Sequence, residues 1–174
     1  MTRPAWAERN ALLRSYYDTE WGFPIRDAAG VYERLALEGF QSGLAWETIL
    51  RKRPAFRAAF AAFDPAVVAA FGDADVARLL ADPGIVRNER KIRAAITNAR
   101  ATVALAEAGD DLAELVWSFR PADPTAAAEG RPSRSPESAA LSAELKRRGF
   151  VFVGPVTMYA LLEAIGVLEH RLTG

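Results

Sequence analysis

Glu38 lies in the run Leu35-Ala36-Leu37-Glu38-Gly39-Phe40-Gln41-Ser42-Gly43-Leu44-Ala45-Trp46, with apolar and small residues on both sides. A carboxylate in such surroundings loses hydration and needs a partner. That partner is either structural, such as an orphan backbone N–H or an arginine, or a ligand that brings hydrogen-bond donors. Trp46 adds an aromatic wall close by in sequence. A carboxylate beside such a wall can hold a flat, cationic ring that carries donors.

A second stretch with chemical potential is Gly149-Phe150-Val151-Phe152-Val153-Gly154-Pro155. Glycines at both ends let backbone amides approach a ligand closely. Gly154-Pro155 opens a helix whose free N-terminus is a natural phosphate site. Lys146-Arg147-Arg148 closes the helix before it. These basic residues either complement the helix C-terminus or contact phosphates. Arg51-Lys52-Arg53 and the group Arg87, Arg90, Lys91 and Arg93 read as solvated helix faces.

Composition narrows the chemistry. Lys+Arg and Asp+Glu both number 22, so net charge is zero. This argues against nucleic-acid binding by bulk charge but leaves room for a local basic face. With no cysteine and one histidine, disulfides, thiolate metal sites and multi-histidine metal sites are excluded. The N-terminal Met1-Thr2-Arg3-Pro4-Ala5-Trp6 holds no apolar signal core, and no apolar run reaches membrane-span length. The expectation is a cytoplasmic protein.

The elements that must position these residues read as helices. The first runs around Leu12 to Glu20, and a second, capped by Asp27, carries Val31, Leu35 and Leu37. A break at Gly39–Gly43 precedes a third around Trp46 to Lys52, which Pro54 kinks or ends. Asp64-Pro65 and Asp75 open short helices, Asn88 to Glu107 forms the longest, and Asp111 starts another. The Pro-, Ala- and Ser-rich stretch at 121–135 is a flexible loop. Ser135-Pro136 then opens a helical hairpin over 136–166. No segment shows a convincing period-2 strand. The 174 residues read as one all-α domain.

Several blocks together carry a resemblance. They are Tyr16-Tyr17-Asp18-Thr19-Glu20-Trp21-Gly22, Leu37-Glu38-Gly39 through Trp46, Ile85-Val86-Arg87-Asn88 through Lys91-Ile92, Asn98-Ala99-Arg100, Val116-Trp117-Ser118-Phe119, and Leu145 through Pro155. In order, over nearly the whole chain, they resemble the bacterial 3-methyladenine DNA glycosylase I family. The resemblance implies a helix-hairpin-helix glycosylase fold. It also implies excision of 3-methyladenine from alkylated double-stranded DNA by a monofunctional enzyme that acts as a monomer, with no membrane partner. By that resemblance Glu38 is the catalytic and recognition residue, accepting hydrogen bonds from the adenine edge. Trp46, Tyr16, Trp21, Trp6 and Phe40 would form or support the base pocket, with core packing as the alternative for Trp6 and Trp21. Gly149, Phe152, Gly154, Thr157 and Lys146 would hold phosphates.

The chain also departs from the family pattern. Members bind zinc through terminal Cys and His residues. The corresponding places here are Pro4, Tyr17, His170 and Gly174. No cofactor and no metal ligand are therefore expected, and packing, with Trp6 and Tyr17 as candidates, must tie the termini instead. Leu13 stands for a usual Tyr and Phe40 for a usual Gln, which makes the pocket greasier. Glu169 lies near the place where the wider superfamily carries a catalytic Asp, and it reads as a solvent-facing tail residue. Two further readings remain open: a non-catalytic sensor of alkylated DNA, and a glycosylase with a shifted purine-lesion preference.

Overall fold

The computed structural model describes residues 2–126 and 132–171. It contains nine α-helices and no strand among the described residues. In chain order they are α1 (Ala11–Thr19), α2 (Ala28–Gln41), α3 (Trp46–Ala59), α4 (Pro65–Ala69), α5 (Asp73–Leu80), α6 (Glu89–Glu107), α7 (Leu112–Trp117), α8 (Pro136–Arg147) and α9 (Pro155–Ala164).

Side-chain caps set most of the starts. Asn10, Asp27, Asp64, Asn88, Asp111 and Ser135 each accept a backbone N–H from the first turn of the helix they precede. α5 differs from expectation. It opens at Asp73 with Gly72 as cap, and the Asp75 carboxylate reaches back to accept from the Gly72 N–H at 3.0 Å. α2 continues through Gly39 to Gln41, past the expected break. Helix propensity loses to packing here, because Leu35, Leu37 and Phe40 are all buried. α3 likewise runs through Pro54 to Ala59, since Ile49, Leu50 and Phe56 anchor it on both sides of the lost hydrogen bond.

α2 is the central helix and packs against α6, α7 and α9, while α8 pairs with α9 and α4 with α6. The main core extends from Val31 to Leu168. A smaller cluster of Leu13, Tyr16 and Leu50, with Trp6, Trp21 and Trp46 against it, joins α1 to α3. Of the expected loop at 121–135, residues 127–131 lie outside the described residues. Val151-Phe152-Val153 is the link between α8 and α9 rather than a strand.

Candidate active site

Three helices present residues three positions apart to one cavity of about 300 Å³. α1 contributes Leu13 and Tyr16, α2 contributes Glu38 and Gln41, and α9 contributes Ala160 and Glu163. The i, i+3 spacing puts each pair on one helix face. Trp46, the first residue of α3, closes one side, and Trp6 and Trp21 close another. The rings form a continuous wall: Trp46 lies 5.6 Å from Tyr16, Tyr16 6.4 Å from Trp6, and Trp6 5.8 Å from Trp21.

Glu38 is 6% exposed, and its carboxylate has no hydrogen-bond partner among the described residues. Burial pushes its pKa up to about 8, the nearby Arg34 charge opposes that rise, and Glu163 adds to it. Arg34 is committed elsewhere. One of its nitrogens donates to the Tyr16 hydroxyl at 2.9 Å and another to Glu20 at 2.7 Å. Arg53 grips the same Glu20 with two further hydrogen bonds of 2.7 Å. The Arg53 hydrogen bond is the main reason the Glu20 carboxyl is held low. The Trp46 indole N–H is also buried and unpartnered among the described residues. The cavity thus holds an unmatched carboxylate between aromatic faces. An unpaired buried carboxylate is costly, so it selects for a ligand that supplies hydrogen-bond donors.

Four of the five expected pocket residues line this cavity. Phe40 does not. It is 1% exposed, and its ring packs on Phe56 at 4.7 Å and Phe60 at 5.7 Å in the main core. Two residues advance a helix by about 200°, so position 40 points away from position 38 while position 41 returns toward it. Gln41 is the residue that faces the cavity. Glu163, Ala160 and Arg9 also line it and carry no local signal in the sequence.

The α8–α9 hairpin sits beside this site. A Cβ on Gly39 would meet the Cβ of Phe152 at 3.9 Å, so the residue after Glu38 touches the hairpin. Gly149 has φ +89° and ends α8, its N–H donating to the Lys146 carbonyl. Its amide is therefore committed within the fold. Phe152, at φ +56°, holds a left-handed conformation unusual for a side-chain-bearing residue. The N–H groups of Phe152 and Gly154 have no hydrogen-bond partner among the described residues. Thr157 lies in the first turn of α9, whose N-terminal N–H groups point out of the helix. Of the basic triplet, Arg147 and Arg148 pair with Glu144, and Arg148 also with Asp110, while Lys146 is exposed with no ion pair among the described residues. Arg90 reaches over the Phe152 ring at 5.9 Å. Lys91 donates to the carbonyls of Phe40 and Ser42, closing the end of α2.

Comparison with known proteins gives these features a family. The methyladenine glycosylase family matches residues 6–174. The chain belongs to this family. It is 40% identical to DNA-3-methyladenine glycosylase 1 of Escherichia coli (strain K12) over 178 residues, covering 100% of this chain and 95% of the relative. A crystal structure of 3-methyladenine DNA glycosylase I superposes with a TM-score of 0.93 at 41% identity, covering 99% of this chain and 97% of the other. A Tyr-to-Phe variant of a 3-methyladenine DNA glycosylase I, solved with 3-methyladenine, gives a TM-score of 0.91 at 32% identity, with 99% and 95% coverage. The all-helical glycosylase fold expected from sequence is the fold of this family.

The family's zinc does not fit the residues present. Pro4 offers no donor atom, Tyr17 offers no imidazole or thiolate, and Gly174 lies outside the described residues. His170 directs Nδ1 to Glu163 at 2.8 Å. Arg171 ties the C-terminal segment to the Tyr17–Trp21 turn. Its guanidinium sits over Phe23 at 4.3 Å and Tyr17 at 4.9 Å, and it donates to the backbone carbonyls of Tyr17 and Trp21. Gly22, at φ +77°, makes room for it, since a Cβ there would lie 2.6 Å from Arg171 Cγ. Glu169 is bound by Arg120 and does not line the cavity.

Proposed function

We infer that this chain is a DNA-3-methyladenine glycosylase acting in base-excision repair. It hydrolyses the bond between N9 of 3-methyladenine and C1′ of the deoxyribose after the nucleotide leaves the helix. The observation that carries this reading is Glu38, a buried carboxylate without a partner in an aromatic cavity beside the hairpin. A cavity of this size is at the lower end for ligand sites and suits one flat base. Methylation at N3 makes the base cationic, so its glycosidic bond is already weak. The protein must chiefly extract the base and hold it.

Glu38 performs recognition and catalysis together. In the free protein near neutral pH its raised pKa favours the protonated acid. A cationic base entering the cavity supplies the missing counter-charge and donors, and Glu38 then ionises. Trp46 and Tyr16 stack against the ring, and Trp6 and Trp21 support them from behind. A neutral adenine would leave Glu38 without its counter-charge. When the C1′–N9 bond breaks, its electron pair neutralises the base, and water supplies the oxygen at C1′. Among the described residues no lysine lines the cavity, which agrees with a monofunctional hydrolysis in which water attacks C1′.

The partner we propose is double-stranded DNA containing alkylated purines, engaged by a single-domain monomer that works in the cytoplasm without zinc. The free amides of Phe152 and Gly154, the α9 N-terminus with Thr157, and Lys146 form the phosphate-contacting edge. Gly149 shapes that edge rather than donating to it. No helix among the described residues is long and apolar enough to cross a membrane. Incubation with methylated duplex DNA, followed by chromatography of released bases, tests the activity. Free 3-methyladenine is the expected product. Tight binding without release would mark a sensor instead, and release of another purine would mark a shifted specificity at Leu13.

A further inference from the structure

We propose that Glu163 is a second catalytic carboxylate, which positions the attacking water and takes its proton, and that His170 is its positioning residue. The inference deepens the glycosylase reading above and rests on it. Three observations support it. Glu163 lines the same cavity as Glu38, from α9 rather than α2. Its side chain is 25% exposed, whereas Glu38 is nearly sealed. A flipped base enters first and its sugar stays tethered to the DNA, so C1′ lies nearer the mouth. The more exposed carboxylate is therefore the one within reach of that atom.

His170 supplies the third observation. When Glu163 is ionised it accepts the Nδ1 proton across their 2.8 Å contact. The ring is held close to Tyr159, with centroids 6.1 Å apart, and its Nε2 is buried without a partner among the described residues. One Glu163 oxygen is thus fixed by the imidazole, and Glu163 has no hydrogen bond to any arginine or lysine among the described residues. Glu20 and Glu144, by contrast, are each consumed by two arginines. Burial raises the Glu163 carboxyl pKa, with His170 opposing, which makes it a stronger base than a surface glutamate.

The step balances without any further reactant. Water oxygen bonds to C1′ as the C1′–N9 bond breaks. The bond pair moves to N9 and cancels the base's positive charge. The water proton passes to Glu163 and then to solvent. The products are neutral 3-methyladenine and a sugar bearing a 1′-hydroxyl.

Single-turnover excision by Glu163→Gln, together with tryptophan-fluorescence titration by free 3-methyladenine, tests this. Glutamine keeps the size and one acceptor but cannot take the proton. The expected result is a rate lower by about 100-fold, typical of a lost general base, with base affinity changed far less than the rate. His170→Asn, which retains a donor, is expected to keep more of the rate than His170→Phe. A Glu163→Gln rate within threefold of wild type overturns the inference, and so does a loss of affinity equal to the loss of rate. If Glu163→Gln melts below the assay temperature, Glu163→Asp replaces it, with a tenfold slower rate expected and an unchanged rate overturning the proposal. If wild type itself releases no base, the glycosylase reading fails rather than this inference alone.

Discussion

Asn98 binds the backbone of Val151 from both sides: its amide nitrogen donates to the Val151 carbonyl at 2.9 Å, and its oxygen accepts from the Val151 N–H at 2.8 Å. Asn98 is 3% exposed in the middle of α6, so this clamp joins the longest helix to the hairpin. It orders the segment whose amides face outward. Asn98→Ala leaves both Val151 groups unpaired, at a cost of about 1–3 kcal/mol. The expected outcome is weaker binding to undamaged duplex with unchanged affinity for free 3-methyladenine. Fluorescence anisotropy and base titration separate the two.

Glu38 couples stability to pH. Its folded pKa stands above the ordinary carboxyl value, so the fold retains the proton that the unfolded chain loses. This group therefore costs the fold nothing below about pH 4.5. The cost grows as pH rises through the interval to about 8 and is level above it. A shift of that size corresponds to at most about 5 kcal/mol. Denaturant titrations at pH 5 and pH 9 should show Glu38→Gln gaining on wild type at the higher pH. Equal differences at both pH values would contradict the burial account.

Arg171 ties the C-terminal segment to the Tyr17–Trp21 turn through two carbonyls and two rings. Charged hydrogen bonds and desolvated cation–π contacts are each worth about 1–3 kcal/mol. Arg171→Ala should lower the melting temperature by roughly 4–10 °C and red-shift tryptophan emission as Trp21 loosens. If this tie works without zinc, as proposed, a metal chelator should leave wild-type melting unchanged.

The basic residues near the hairpin should not contribute equally to DNA binding. Lys146 has no ion pair among the described residues, whereas Arg147 is held by Glu144. Lys146→Ala should reduce the slope of log affinity against log salt by about one. Arg147→Ala should change it less, because its charge is already partly neutralised. Titrations at several salt concentrations read the difference directly.

The helices and hairpin were legible in the sequence because their signals are local: Asx and Ser caps, first-turn prolines and Gly149. Glu38 and Trp46 were legible because a carboxylate stands out in an apolar run. Phe40 was misplaced because the glycine at position 39 suggested a break, which hid the helical phase that turns position 40 inward and brings Gln41 to the cavity. Arg34, Glu20 and Arg53 form one network across three helical segments, and Glu163 meets the site from more than a hundred residues away. Such pairings leave no local pattern, since only the packing of α1, α2, α3 and α9 brings them together. Arg171 escaped notice for the same reason.

The buried Glu38 carboxylate is proposed to recognise and activate a cationic adenine. The most direct test of this role is single-turnover release of 3-methyladenine from methylated duplex DNA by wild type and by Glu38→Gln, under enzyme excess. Prompt release is expected from wild type and a rate at least about 100-fold lower from the amide, the scale of a lost charge-stabilising group. Equal rates for the two proteins would contradict this role.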